Sequence, residues 1–220
     1  ETLYLSLDPY MRGRMSAAKS YAKPVEIGQT MVGATVSRVL DSTDDTVAVG
    51  DIVLGYGGWQ THSVESTSYL RVLNPDALPV TTALGVLGMP GFTAYAGMHN
   101  IGQPKAGETV VVAAATGPVG SMVGQLAKLA GARAVGIAGG AAKVAMLTDE
   151  FGFDAAIDHR ADDFAEQLAA ATPDGIDVYF ENVGGKVFDA VLPRMNLYGR
   201  IPVCGLVSGY NATALPDGPD

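Results

Sequence analysis

The sequence predicts an α/β fold in which a β-rich module precedes a doubly wound parallel sheet, and three observations predict it. Short strand-like runs divided by turn residues fill the chain as far as about Ala83. Beyond Lys105-Ala106-Gly107-Glu108 strands and helices alternate strictly. Between Val110 and Gly140, in VVVAAATGPVGSMVGQLAKLAGARAVGIAGG, the apolar period changes from strand to helix inside a Gly-rich turn.

In the first part Leu3, Leu5 and Leu7 alternate, and Met31 to Leu40 and Asp51 to Leu54 are further strand candidates, the last closed by Gly55-Tyr56-Gly57-Gly58. Asn74-Pro75 and Leu78-Pro79 mark a loop. Thr81 to Ile101 carries helical spacing interrupted at Met89-Pro90-Gly91, an interruption that suits a hinge between domains. Domains are therefore expected at 1–90 and 91–220.

Val110, Val111 and Val112 followed by small residues read as a strand buried on both faces. From Val119 the apolar residues Met122, Val123, Leu126 and Ala130 recur at helical spacing. The turn between them, Ala115-Thr116-Gly117-Pro118-Val119-Gly120, places a glycine turn at a helix N-terminus. There, unpaired N–H groups and the positive dipole end favour a pyrophosphate. Pro118 suits the first helical position, and Gly120 and Gly124 let the helix lie close. The spacing A-x-G-x-x-G differs from the usual dinucleotide fingerprint by Ala115 at the first glycine.

The next strand, Arg133 to Ala138, ends on Gly139-Gly140 where a carboxylate would serve the ribose hydroxyls of NAD, and Lys143 follows. Space and a cation there favour the 2′-phosphate of NADP. The expected order continues with a helix Ala141 to Phe151, a strand Ala155 to Asp158 and a helix Ala161 to Ala171. A strand Asp177 to Phe180, a helix Lys186 to Met195 and a strand Arg200 to Val203 complete it. In such sheets ligands sit beyond the C-terminal strand ends. Those ends read Gly139-Gly140, His159-Arg160, Glu181 to Gly185 and Cys204 to Ser208.

Composition narrows the class. The chain of 220 residues is 48% apolar and 17% charged, which is ample for a core, and its net charge of −9 argues against nucleic acid or an anionic membrane as partner. No run reaches the ~18 apolar residues of a span, and no signal segment opens the chain. One cysteine, Cys204, excludes an internal disulfide and a cysteine-built zinc site and fits a reducing cytoplasm.

Six stretches together resemble the zinc-independent medium-chain dehydrogenases/reductases: LSLDPYMRGRM (Leu5 to Met15), LGMPGFTAY (Leu87 to Tyr95), AAATGPVGSMVGQLAKL, GFDAAID, DVYFENVGG (Asp177 to Gly185) and RIPVCGLVSGYN (Arg200 to Asn211). Bacterial NADPH-dependent curcumin reductases, the leukotriene B4 dehydrogenase/prostaglandin reductases and plant alkenal reductases are the groups they look like. The resemblance implies a GroES-like catalytic domain before a Rossmann domain, each partial because relatives begin before Glu1 and continue past Asp220, with NADPH in the cleft between.

Carried over by position, Gly117, Pro118, Val119 and Gly120 would hold the pyrophosphate, Gly140 would contact the cofactor and Lys143 would meet the 2′-phosphate. Thr93 and Asn182 would contact the cofactor, and Cys204, Gly205, Leu206, Val207, Ser208 and Tyr210 would pass beneath it. His159 stands where many relatives have a cofactor-contacting tyrosine, and an imidazole can still stack or donate.

The chemistry implied is reduction of a C=C bond conjugated to a carbonyl, in a small-molecule enone. Charge developing on the carbonyl oxygen needs donors. His62, His99 and His159 are scattered along the sequence and form no zinc-binding pattern, so hydroxyls must serve, from a tyrosine or from the cofactor's own ribose. Tyr10, in DPYMRGRM, Tyr56, in GYGGW, and Tyr210, after a strand end, are the candidates. Met11, Met15, Met89 and Trp59 could line an apolar pocket or simply pack. Arg12 and Arg14 either orient a polar substrate tail or are solvated, and Glu181 is an acid only if desolvated, the less demanding role being a polar neighbour to the cofactor. Asn211-Ala212-Thr213 has the glycosylation pattern, without consequence in a cytoplasmic chain. A quinone reductase on the same fold and a non-catalytic NADPH-binding protein stay open, as does a homodimer.

Overall fold

A computed structural model of the protein describes residues 1–213, so the C-terminal bound of the expected second domain, Asp220, lies outside the described residues. The chain divides into two compact units, the first Glu1–Met89 and the second beginning at Pro90.

The first unit is built on a four-stranded antiparallel sheet in the order β1-β2-β3-β4, formed by Thr2–Leu5, Thr35–Arg38, Ile52–Gly55 and Arg71–Leu73. Thr35–Arg38 is the trimmed centre of the expected Met31 to Leu40 run, Ile52–Gly55 is shifted one residue past the expected Asp51 to Leu54, and Thr2–Leu5 covers only the start of the Leu3, Leu5, Leu7 alternation. Arg71–Leu73 was not expected, because three residues with no apolar alternation carry no strand signal until β3 offers them a partner. A one-turn helix, α1 (Met11–Arg14), follows Asp8-Pro9.

The second unit carries a five-stranded parallel sheet in the order β7-β6-β5-β8-β9. Its strands are β5 (Thr109–Ala113), β6 (Arg133–Ala138), β7 (Ala155–Asp158), β8 (Ile176–Phe180) and β9 (Met195–Arg200). Every pairing is parallel. Side-chain alternation along β5 supplies both faces. Val110 and Val112 pack with Val123, Ala127, Leu147, Phe153 and Phe180, whereas Val111 and Ala113 pack with Ile137, Ile157, Leu168, Tyr179 and Val191. The helices α3 (Pro118–Leu129) and α4 (Ala141–Asp149) cover the first face; α5 (Phe164–Ala171) and α6 (Gly185–Val191) cover the second.

Two expectations need correction. Met89-Pro90-Gly91 does not interrupt a helix but begins one, α2 (Met89–Ala96), which continues as a π-helical turn over Gly97–Gly102. Proline is tolerated in a first turn, where its missing N–H has no partner to lose. The helix expected to reach Met195 stops at Val191 with a 3₁₀ turn at Leu192–Arg194, since Pro193 cannot continue an α-helical ladder. The last strand is accordingly Met195–Arg200, and Val203 keeps only a single bridge to Glu181. Tyr198, at φ 65°, marks an irregular register between β8 and β9. Among the described residues no helix is long and apolar enough to cross a membrane.

Candidate cofactor site

The strand order reverses between β5 and β8, and the turns after the five strands lie along the same, C-terminal edge of the sheet. Directly after β5, Ala114 takes the left-handed conformation at φ 52°, so the sharp turn is made one residue before the substituted glycine position. Ala115 is fully buried and donates its N–H to the Ile137 carbonyl of β6 at 2.9 Å. Helix α3 then begins with Gly117 as its N-cap and Pro118 in its first turn. Gly117 brings no capping side chain, and no acidic residue occupies that turn, so its orphan N–H groups and positive dipole end stay open to an anion.

Gly120 shows why this turn admits no larger residue. A Cβ there would lie 2.5 Å from the Ala114 carbonyl oxygen and 2.7 Å from the Ala115 Cα. The backbone of α3 therefore rests directly on the turn. Gly124, one helical turn on, faces the Phe153 ring rather than the sheet itself.

The turns after β6 and β7 are tied together by one carboxylate. Asp158 Oδ1 accepts the N–H of Gly140 at 3.0 Å and that of Arg160 at 2.9 Å, and these two bonds hold its pKa below the usual carboxylate value. Gly140, at φ 93°, is the N-cap of α4, and Lys143 projects from the first turn of that helix as an exposed side chain. His159 is half-buried, and its Nδ1 is enclosed without a hydrogen-bond partner. Burial, then the charges of Lys186 and Arg160, hold this imidazole below its ordinary pKa.

After β8 the chain turns through Asn182, whose side-chain amide donates to the Ala113 carbonyl at 2.8 Å and so links the ends of β8 and β5. Glu181 is fully buried. It is indeed desolvated, yet its oxygens are engaged, with Oε1 accepting the N–H groups of Val183 and Gly184 and Oε2 the Tyr179 hydroxyl. The segment from Cys204 follows on top of this turn. Cys204 donates its N–H to the Glu181 carbonyl, Val207 to that of Asn182 and Ser208 to that of Val183. The Ser208 hydroxyl also donates to Val183, at 2.6 Å. The Tyr210 hydroxyl lies against Gly205, where a Cβ would meet it at 2.9 Å. Cys204 is exposed, and partial desolvation by its neighbours raises the thiol pKa.

Thus Gly117 to Gly120, Gly140, Lys143, His159, Asn182 and the Cys204–Tyr210 segment all stand at the C-terminal ends of the sheet. Leu206 packs beside Gly184 there. Thr93 is half-buried on α2. A cavity of about 450 Å³ in this unit, bounded by Tyr95, Met98, His99, Gln103, Pro104, Leu126 and Ala130, contains none of the expected cofactor residues. Sequence reasoning had no role for Ala114 or for the clamp at Asp158. A polar residue closing a buried strand was the only available signal for the latter.

In the first unit Tyr10 is half-buried, and burial followed by the charge of Asp8 raises its phenol pKa. Tyr56, 68% exposed, rises from the glycine loop after β3, its N–H bound to Glu65 Oε2 at 2.7 Å. Arg14 is not solvated. It is buried, donates to the Ala22 carbonyl at 3.1 Å and lies over the rings of Tyr21 and Tyr10 at 4.5 and 5.8 Å. Met11 is buried, whereas Met15, Met89 and Trp59 are exposed.

Comparison with known proteins agrees with this architecture. Residues 1–73 match the family model described as N-terminal domain of oxidoreductase, and residues 118–218 match that described as zinc-binding dehydrogenase. The second description is the name of a broad family; among the described residues no group of three or more His, Cys, Asp or Glu side chains could hold a metal ion. The chain is 64% identical over 219 residues to the NADPH-dependent curcumin reductase of Escherichia coli (strain K12), covering 100% of this chain and 64% of that protein. It is 48% identical to the NADP(+)-dependent 2-alkenal reductase of Nicotiana tabacum, covering 96% and 62%. It is 46% identical to prostaglandin reductase 1 of Rattus norvegicus, covering 100% and 66%. The solved structure of CurA in complex with NADPH from Vibrio vulnificus matches with a TM-score of 0.92 and 59% identity, over 100% of this chain and 65% of that one. The chain thus spans just under two thirds of the length of these relatives. With an antiparallel GroES-like sheet, a parallel Rossmann sheet and these matches along its whole length, the chain belongs to the zinc-independent medium-chain dehydrogenase/reductase family.

Proposed function

We propose that the protein is an NADPH-dependent reductase that saturates the C=C bond of α,β-unsaturated ketones and aldehydes. One observation carries the reading. The close-packed Ala114–Gly120 turn beneath an uncapped helix N-terminus belongs to a chain 64% identical to an NADPH-dependent curcumin reductase.

The residues present fit the dinucleotide. The backbone of Gly117 to Gly120 would hold its pyrophosphate, for which the Gly120 contact leaves the chain no room to carry a side chain. Lys143 would meet the 2′-phosphate. The Cys204–Tyr210 segment, pinned to the Asn182 turn, would support the nicotinamide half. Bound there, NADPH supplies a hydride to the β-carbon of the enone, and a proton completes the saturated product.

What the protein must add is stabilisation of the charge that collects on the carbonyl oxygen. A phenol can donate to that oxygen only while protonated. A tyrosine is protonated at neutral pH in any case, and burial followed by the Asp8 charge moves the Tyr10 pKa further above it. Tyr56 and Tyr210 are the other two hydroxyls proposed for this role. Small-molecule enones are the proposed substrates, as the names of the curcumin, 2-alkenal and prostaglandin reductases suggest.

The test is NADPH consumption by the intact protein, followed by absorbance, with 2-alkenals, curcumin-like dienones and quinones as acceptors and NADH as control. Turnover of enones with NADPH preferred supports the reading. Turnover of quinones alone, or NADPH binding without turnover of any enone, overturns it.

A further inference from the structure

Arg160 was passed over in the sequence as one half of a polar strand end, and the structure gives it a specific position. Its backbone is fixed by the N–H bond to Asp158 Oδ1, the atom that also holds Gly140. Its side chain runs back over the end of β6. A Cβ placed on Gly139 would come within 2.8 Å of Arg160 Nε and 3.2 Å of its Cζ, and one placed on Gly140 within 3.9 Å of Nη1. The guanidinium thus covers the two glycines that stand where an NAD-binding domain would carry its ribose-binding carboxylate.

That guanidinium has work to spare. Among the described residues it donates to no side-chain or carbonyl acceptor, whereas Arg200 and Arg194 each make several such bonds. Asp158, two residues before it, directs Oδ1 at backbone N–H groups. The His159 ring lies on the same glycine, with Nε2 at 2.8 Å from the Gly139 Cβ position. Burial, then the charges of Lys186 and Arg160, lower this imidazole's pKa against the opposing charge of Asp158, so two cations stand near the ring in a chain that is acidic as a whole. Lys143 leaves the first turn of α4 from the same Gly140 cap.

We propose that Arg160 is a specificity-determining residue, its guanidinium taking the adenosine-ribose 2′-phosphate together with Lys143 and so setting the preference for NADP over NAD. The inference rests on the NADPH reading above. A planar, permanently charged fork suits a phosphate, and Gly139 and Gly140, having no side chains, leave room for that fork to lie over the end of β6. Loss of Arg160 should then weaken only those ligands that carry the 2′-phosphate.

The experiment measures equilibrium binding of NADPH and NADH by calorimetry to the intact protein and to Arg160→Ala, Arg160→Lys and Lys143→Ala. Charge-assisted bonds of this kind predict an NADPH affinity about 10- to 100-fold weaker in Arg160→Ala, with NADH affinity unchanged and Arg160→Lys intermediate. Unchanged NADPH affinity in Arg160→Ala, or equal losses for NADPH and NADH, overturns the inference while leaving the cofactor reading intact. A wild-type protein that binds neither dinucleotide overturns both.

Discussion

Glu181 Oε1 accepts the backbone N–H of Gly184 at 2.9 Å, inside a turn with no solvent exposure at the glutamate. Gly184 is in the left-handed conformation at φ 74°, with Leu206 and Ser208 packed over it. A buried carboxylate thus determines the path of two segments at once, the turn after β8 and the Cys204–Tyr210 stretch above it.

Removing that carboxylate should be costly. In Glu181→Ala the N–H groups of Val183 and Gly184 and the Tyr179 hydroxyl all lose their acceptor. At roughly 1–3 kcal/mol for each buried unsatisfied group, a loss of at least about 3 kcal/mol is expected in urea denaturation. Glu181→Gln keeps an acceptor and should lose under half as much. Equal losses in the two would show that volume, not hydrogen bonding, matters there.

Gly120→Ala puts a methyl group against the Ala114 carbonyl and Ala115 Cα, both backbone. Neither can swing aside as a side chain would. We expect about 1–3 kcal/mol of destabilisation by thermal melting, and a loss of NADPH affinity of about tenfold or more as the turn opens. A variant with wild-type affinity would show that the turn does not hold the cofactor.

At Gly124 the outcome turns on a neighbour. Alanine would favour the helix by about 1 kcal/mol, but its Cβ would strike the buried Phe153 ring. Gly124→Ala should therefore destabilise the wild type, and by less in a Phe153→Leu background. Additive effects in the double-mutant cycle would mean that the two do not share space.

His159 predicts a dependence on pH. Burial and nearby positive charge lower its pKa from 6.5, so the folded protein binds fewer protons than the unfolded chain just below that value. The contribution of the neutral imidazole is full above about pH 6.5 and is lost as pH falls through the depressed folded value. His159→Gln should flatten this part of the stability profile on acidification. A difference between the two proteins that stays constant from pH 7 downward would refute it.

Among Tyr10→Phe, Tyr56→Phe and Tyr210→Phe, removal of the hydroxyl that serves the carbonyl oxygen should lower kcat about 100-fold with NADPH affinity unchanged. Single-turnover kinetics with a 2-alkenal identifies it. Three variants with wild-type kcat would move the donor elsewhere.

The sequence by itself determined the architecture, because its signals are local. A β-branched run at Val110–Val112, the change of period across Gly117–Gly120 and four strand–helix alternations before a fifth strand announce a parallel sheet, and the ends of β6 and β7 match the sequence reading to the residue. It also pointed to the strand ends as the candidate site, since polar and glycine residues there serve no packing need. Tertiary structure decided whatever depends on a partner distant in the chain. Arg71–Leu73 became a strand because β3 lay beside it, and Gly124 is small because Phe153, from beyond the next strand, fills its space. Glu181 anchors a turn rather than donating a proton, and Arg14 is buried against tyrosines rather than solvated. Arg160 reaches over Gly139 only because β6 and β7 run in parallel and end together. Periodicity along the chain reports which face a residue presents; only the folded chain brings a carboxylate, a glycine or a guanidinium to the atoms it serves.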